Sequence, residues 1–185
     1  MASYDAELLL AADRLLARRA GQGGKLPAAR IRRSISTSYY AAFHFLVEEA
    51  GILLIGSHND LRRRRRTFAR TFTHKGMTTA LNKVRGRNVD PSAADLLRPR
   101  GVAAGAVAAP HFARNLAAAF SDAQAKRAGA DYDLNAVSSE LDGRLIASRV
   151  EDAIAAWRAA RAPADRDFKQ ALCLLMLLKG QLRRE

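Results

Sequence analysis

The spacing of apolar residues between Arg33 and Ala50 constrains this chain more than any other feature. Ile35, Tyr39, Phe43, Leu46 and Ala50 recur at three- and four-residue intervals, which puts them on one face of an α-helix. Arg33, Ser36, Tyr40, His44 and Val47 share that spacing on a neighbouring face. The second face carries a guanidinium, a phenol and an imidazole. Tyr40 and His44 are there either as hydrogen-bonded groups at a seam between helices or as the edge of a functional site.

The rest of the chain agrees with a helical reading. Alanine is abundant, there are five prolines, and runs of β-branched residues are missing, so the expected class is all-α. A length of 185 residues suits a single domain over 1–185 with one well-buried core. No stretch has the roughly eighteen uninterrupted apolar residues of a membrane span, and Met1 to Asp5 do not open a signal peptide. The single Cys173 excludes an intrachain disulfide or a cysteine zinc cluster and fits a reducing cytoplasm. His44, His58, His74 and His111 show no paired helical spacing with carboxylates, so no metal site is expected. There is no Gly-rich phosphate loop, dinucleotide fingerprint or nucleophile elbow, so no cofactor is expected either.

Charge supplies the sharpest functional signal. The net charge is +13, and Leu61 to Val89 hold ten Lys or Arg and no Asp or Glu. Such a block seeks phosphate, whether on nucleic acid or on another polyanion. Arg62, Arg63, Arg64, Arg65, Arg66, Arg70 and Lys75 are the candidate contacts. Five adjacent arginines repel one another, so 57–75 is expected to be a basic loop that is mobile until an anion binds. Phe68 and Phe72, four apart, either stack on bases or pin the loop to the core.

Helix signals punctuate the remainder. Tyr4 to about Arg19 forms a first helix, stopped by the glycines at 21, 23 and 24. The Tyr-Tyr helix follows Pro27 and is closed by Gly51 and Gly56 near Ala50. A short helix runs from Met77 to about Val84, and Asp90-Pro91-Ser92 starts another. Pro110 begins a longer helix that Gly129 breaks or ends. Ser138 or Ser139 caps the next, whose apolar stripe is Leu141, Leu145, Ile146, Val150, Ala153, Ile154 and Trp157. Pro163 and Asp165 open the last, over 163–185. Its run from Ala171 to Leu178 is apolar all round, which makes it central or a face for a second copy.

Two separated motifs carry a family resemblance. The first is Ser38-Tyr39-Tyr40-Ala41-Ala42-Phe43-His44, preceded by Arg33. The second is Arg127-Ala128-Gly129-Ala130-Asp131-Tyr132, with Thr73-His74-Lys75-Gly76 between them. Together they resemble the prokaryotic HEPN superfamily, in its branch with a Tyr-Tyr-Ala-x-x-His helix and an Arg-x-x-Ala-Asp-Tyr motif, over roughly 28–161. The resemblance implies an up-and-down helical bundle, usually a homodimer, acting on RNA in toxin–antitoxin or antiphage systems or partnering a nucleotidyltransferase. Active members are metal-independent endoribonucleases. In them an Arg and a His with four to six residues between them meet across the dimer, the His moving protons and the Arg stabilising the strained phosphate.

This chain departs from that pattern, because no His has an Arg five to seven positions before it. Arg127 is followed by Tyr132 where the His would stand. A phenol with an ordinary pKa near 10 is a poor base at neutral pH. A catalytic reading therefore gives Arg127 the scissile phosphate and Tyr132, with His74 or His44, the protons. A non-catalytic reading makes Arg127 and Asp131 a salt bridge and leaves a module that binds nucleic acid or nucleotide.

Overall fold

The computed structural model describes residues 3–18, 24–99, 101–132 and 138–180, the side chain of Tyr132 excepted. These residues are all-helical. In chain order the helices are α1 (Tyr4–Leu16), α2 (Ala28–Leu54), α3 (Arg62–Ala69), α4 (His74–Asn82), α5 (Pro91–Leu97), α6 (His111–Tyr132), α7 (Glu140–Ala159) and α8 (Pro163–Leu177), with a 3-10 turn at Asn59–Leu61. Asn88 and Ala108 form an isolated antiparallel bridge. No single helix among the described residues is long and apolar enough to cross a membrane.

The chain divides into two compact units. The first comprises Met1–Phe45 and Ala119–Ala155, the second Leu46–Ala118 and Ala156–Glu185. In the first, Ile35, Tyr39 and Phe45 of α2 and Phe120 of α6 are almost fully buried. α1 is tied to α2 through its own carbonyls. Ser34 Oγ donates to Ala12 O at 3.0 Å, and Arg30 donates to Leu15 O and Ala17 O at 2.9 and 2.7 Å. Arg144 adds a bond to Leu16 O at 3.1 Å. Two cations thus satisfy the last turn of α1, where unpaired carbonyls concentrate negative charge.

The buried stripe of α7 in this unit differs from the expected one. Leu141 and Leu145 are 64% and 46% exposed, while Gly143, Ile146, Ala147 and Val150 are buried. Gly143 explains the rotation: a Cβ there would come within 3.1 Å of Leu16 Cδ1, so α1 packs where a side chain would stand.

Ser139 is the residue that starts α7. Its Oγ accepts from Asp142 N–H at 3.0 Å while the Asp142 carboxylate accepts from Ser139 N–H at 2.9 Å, a reciprocal capping box. Lys126 Nζ also reaches Asp142, at 2.7 Å. The Lys126 bond and the Ser139 bonds pull the Asp142 pKa down from 3.8 to about 2. A depressed carboxylate stabilises the fold above its unfolded pKa and loses that contribution as pH falls through the folded one. Asp142→Asn should therefore cost about 1 kcal/mol at neutral pH, a solvent-screened value. The difference from the parent should vanish between about pH 4 and pH 2. Urea midpoints across that range measure it, and a pH-independent difference would remove the carboxylate from the account.

In the second unit, α8 packs on α4 and α5. Phe168, Leu172, Cys173, Leu175 and Met176 are buried, whereas Leu174 and Leu178 are 39% and 47% exposed. Pro163 sits at the first helical position, and Asp165 accepts from Ala162 N–H at 3.1 Å. Lys169 is only 7% exposed on this helix. Its ammonium donates to Trp157 O at 2.6 Å and Ala160 O at 2.5 Å, closing the end of α7, and lies 5.2–5.3 Å from the ring centres of Trp157 and Phe112. The Trp157 indole N–H donates to Glu49 at 2.8 Å.

α2 extends past its expected end. Gly51 lies inside it, and Gly56, at φ +117, provides the left-handed stop. Gly51 faces the Arg65 side-chain carbons, which lie 3.4 Å from where its Cβ would be, an ordinary contact distance. Gly129 likewise does not end α6, which continues through Asp131 and Tyr132.

Candidate functional site

The Arg127 motif forms a closed cluster in the first unit. The Arg127 guanidinium carbon lies 5.0 Å from the Tyr39 ring centre and 4.8 Å from that of Tyr40. The two rings meet at 62°, so consecutive α2 residues make an aromatic notch for one cation. Arg127 Nε donates to Asp131 Oδ2 at 2.9 Å, and Asp131 Oδ1 accepts from Ser36 Oγ at 2.5 Å. The four-residue spacing on α6 puts Arg127 and Asp131 on adjacent turns, and Ser36 reaches them from α2.

Charge in this cluster is internally balanced. The Arg127 side chain is 15% exposed and that of Asp131 30%. Burial works against the guanidinium charge, but the Asp131 hydrogen bond and the neighbouring Asp131 and phenol charges outweigh it, so the Arg127 pKa is raised. Burial pushes the Tyr39 phenol up to about 12, with Arg127 pulling the other way. Tyr39 is thus a neutral phenol at physiological pH and no base. A phosphate approaching Arg127 would meet a guanidinium whose Nε is already engaged by Asp131.

Of the other proposed proton carriers, His44 adjoins the cluster through Tyr40. His44 lies on α2 in the first unit, half-buried, its ring 5.1 Å from Tyr4, 5.5 Å from Phe43 and 6.2 Å from Tyr40. Burial lowers its pKa, which favours neutral imidazole. His74 belongs to the second unit and is the first residue of α4, behind the N-cap Thr73, whose Oγ1 accepts from Gly76 N–H at 3.1 Å. Tyr132 ends α6, and its side chain lies outside the described residues.

The arginine block is where the structure departs most from expectation. It is a helix, not a loop: α3 spans Arg62–Ala69. Arginine propagates a helix well, and this one is anchored from within. Arg65 donates to Gly56 O at 2.6 Å and His58 O at 2.8 Å. Phe68 and Phe72 meet edge-to-face at 5.2 Å, with Phe72 7% exposed. Phe72 is buried and pins the segment, while Phe68 is half-buried against it. Arg65, Phe68 and Phe72 fall at helical spacing, and Arg63, Arg64 and Arg66 point away from them. Arg62, Arg63, Arg64, Arg66, Arg70 and Lys75 are all exposed. None of the six has a carboxylate partner among the described residues.

Two partners were not readable from the motifs. Ser36 stands 95 residues from the Asp131 it donates to, and no local pattern links them. Lys169 has no signature either, since it follows Asp165-Arg166-Asp167-Phe168 and precedes Gln170, where a surface charge would be expected. No family profile, curated protein or solved structure matches the chain.

Proposed function

We propose that this chain is an RNA-binding protein of HEPN type, with a helical-bundle fold, that grips the phosphate backbone through α3 and does not cleave it. The observation that carries this reading is the α3 surface: exposed, unpaired arginines on an ordered helix that has no carboxylate of its own. An array of this kind neutralises successive phosphates and releases their counterions, which yields affinity with little base discrimination. The two HEPN-like motifs support the family part of the proposal. The closed Arg127–Asp131 pair supports the non-catalytic part, because a guanidinium held by its own carboxylate is poorly placed to stabilise a phosphorane.

Fluorescence anisotropy with a labelled single-stranded RNA tests it. Arg62, Arg63, Arg64 and Arg66 are changed to Gln together, and Arg65 is kept because it anchors the helix. The expected loss is about 100-fold in affinity, with a shallower salt dependence of about 0.7 per lost phosphate contact. Unchanged affinity would overturn the proposed interface. Cleavage of the same RNA in EDTA would overturn the non-catalytic reading and return the protein to the metal-independent ribonucleases.

A further inference from the structure

A second surface lies in the second unit, on residues separate from α3. α5 ends at Leu97 because Pro99 drives Arg98 into the extended region, at φ −68 and ψ 128. Where the chain leaves the helix, a cavity of about 230 Å³ remains against α8, walled by Leu96, Pro99, Phe168, Ala171 and Leu174. That volume is below the roughly 300 Å³ at which small-molecule pockets begin, and it suits a single apolar side chain. The cavity continues into an open stripe. Asp167, Ala171, Leu174 and Leu178 follow one another at four- and three-residue steps, so they share one side of α8 and its C-cap. Leu174 and Leu178 are 39% and 47% exposed. The stripe is about 16 Å long, or three helical turns.

The polar groups of this groove define what can lie in it. Arg98 is committed within its own loop, donating to Ala103 O and Gly105 O at 2.8 and 3.0 Å and to Asp95 at 2.9 Å. Gln170 donates its amide to Leu53 O at 3.2 Å, so its carbonyl oxygen is left to accept. Asp167 is exposed, and its carboxylate has no ion pair or hydrogen bond among the described residues. Arg166, next to it, does not line the cavity. The groove thus presents a carboxylate at one end and leucines at the other, on a chain whose net charge is +13. A cation complements the first and an apolar side chain the second. A second copy of this chain fits poorly. Packed through the same stripe, it would set Asp167 against its twin or against the leucine end, unpaired in both arrangements.

We propose that this groove docks a short amphipathic helix of a partner protein, one with apolar residues at three- and four-residue spacing and a Lys or Arg in its last turn. The cation pairs with Asp167, one apolar side chain fills the cavity, and the next lies across Leu174 and Leu178. The last turn is where a helix favours positive charge, so the guest runs antiparallel to α8. Anchors of this kind carry most of the binding energy when a helix lies in a groove. The groove and the arginines of α3 have no residue in common, so this inference stands or falls separately from the RNA grip.

Fluorescence anisotropy of the full chain with a labelled peptide tests it. The probe is an alanine-based helix of about twelve residues, with Leu at three- and four-residue steps and Lys in its last turn. It should bind saturably, with a Kd of about 10–100 µM. Serine in place of its leucines should abolish binding, and Glu in place of its Lys should weaken binding at least about tenfold. Asp167→Lys should weaken the Lys peptide by about tenfold and bind the Glu peptide more tightly than the parent does. The Glu comparison is made with Arg62, Arg63, Arg64 and Arg66 changed to Gln, so that α3 does not attract the acidic probe. Leu174→Ser should cost the Lys peptide about tenfold; circular dichroism checks that both surface variants stay folded. No saturable binding up to about 1 mM overturns the proposal. So does an affinity for the Lys peptide unchanged in folded Asp167→Lys or Leu174→Ser. Self-association in sedimentation velocity that Leu174→Ser abolishes would also overturn it, assigning the groove to a second copy.

Discussion

Lys169→Ala should destabilise the protein by about 4 kcal/mol, the largest single-residue effect expected here. The ammonium donates to Trp157 O and Ala160 O, two carbonyls at the end of α7. An orphaned buried carbonyl costs roughly 1–3 kcal/mol, and the lost stem and ring contacts add to that. Removing the cation also deprives Glu49, which accepts from the Trp157 indole, of a nearby opposite charge. For a chain of this size the melting temperature should drop by about 10 °C. Lys169→Met restores the stem without the charge and should recover about 1 kcal/mol of the loss. Denaturant midpoints of the two variants separate packing from capping. If both matched the parent within about 0.5 kcal/mol, Lys169 would not be closing α7.

Arg127→Ala should come second, at about 3 kcal/mol. The substitution empties the notch between Tyr39 and Tyr40 and leaves Asp131 with Ser36 alone. Arg127→Lys keeps a cation but gives up the planar contact with both rings, so an intermediate loss of about 1–2 kcal/mol follows. Coupling sharpens the test. In a double-mutant cycle, Arg127→Ala and Asp131→Asn should show an interaction energy of at least about 1 kcal/mol, since the two groups act on one hydrogen bond. Additive losses in urea denaturation would mean that the pair contributes nothing as a pair.

Where local spacing decided the outcome, the sequence was a good guide. The buried face of α2 was legible because Ile35, Tyr39, Phe43, Leu46 and Ala50 obey one helical period; four of them are buried and Phe43 is half-buried. The starts of α5 and α8 were legible because Asp90-Pro91 and Pro163 with Asp165 are short-range signals. The Arg127–Asp131 pair was one of two readings offered, and a four-residue spacing is enough to suggest it. Illegible features depended on what approaches from elsewhere. Gly51 read as the end of α2 but lies inside it, and Gly143 matters only because the Leu16 side chain approaches to within 3.1 Å of where its Cβ would be. Leu141 and Leu145 read as core, but the close approach of Leu16 at Gly143 turns α7 away from them. The arginine block read as a loop because like-charge repulsion is visible in sequence, whereas carbonyl acceptors supplied by a turn are not.

The anchoring of α3 leaves an ambiguity of register that the arginines cannot resolve by themselves. Five identical side chains could each reach the carbonyls of Gly56 and His58, and a slip by one position would present the same chemistry. Phe68 and Phe72 break the degeneracy, since only Arg65 stands three and seven residues before them on the same side of the helix. A homopolymeric run is therefore read here like a ruler without marks, with two aromatic rings fixing its zero. Loss of any outward arginine lowers the charge and leaves the frame intact. Loss of the rings would keep every charge and let the frame drift.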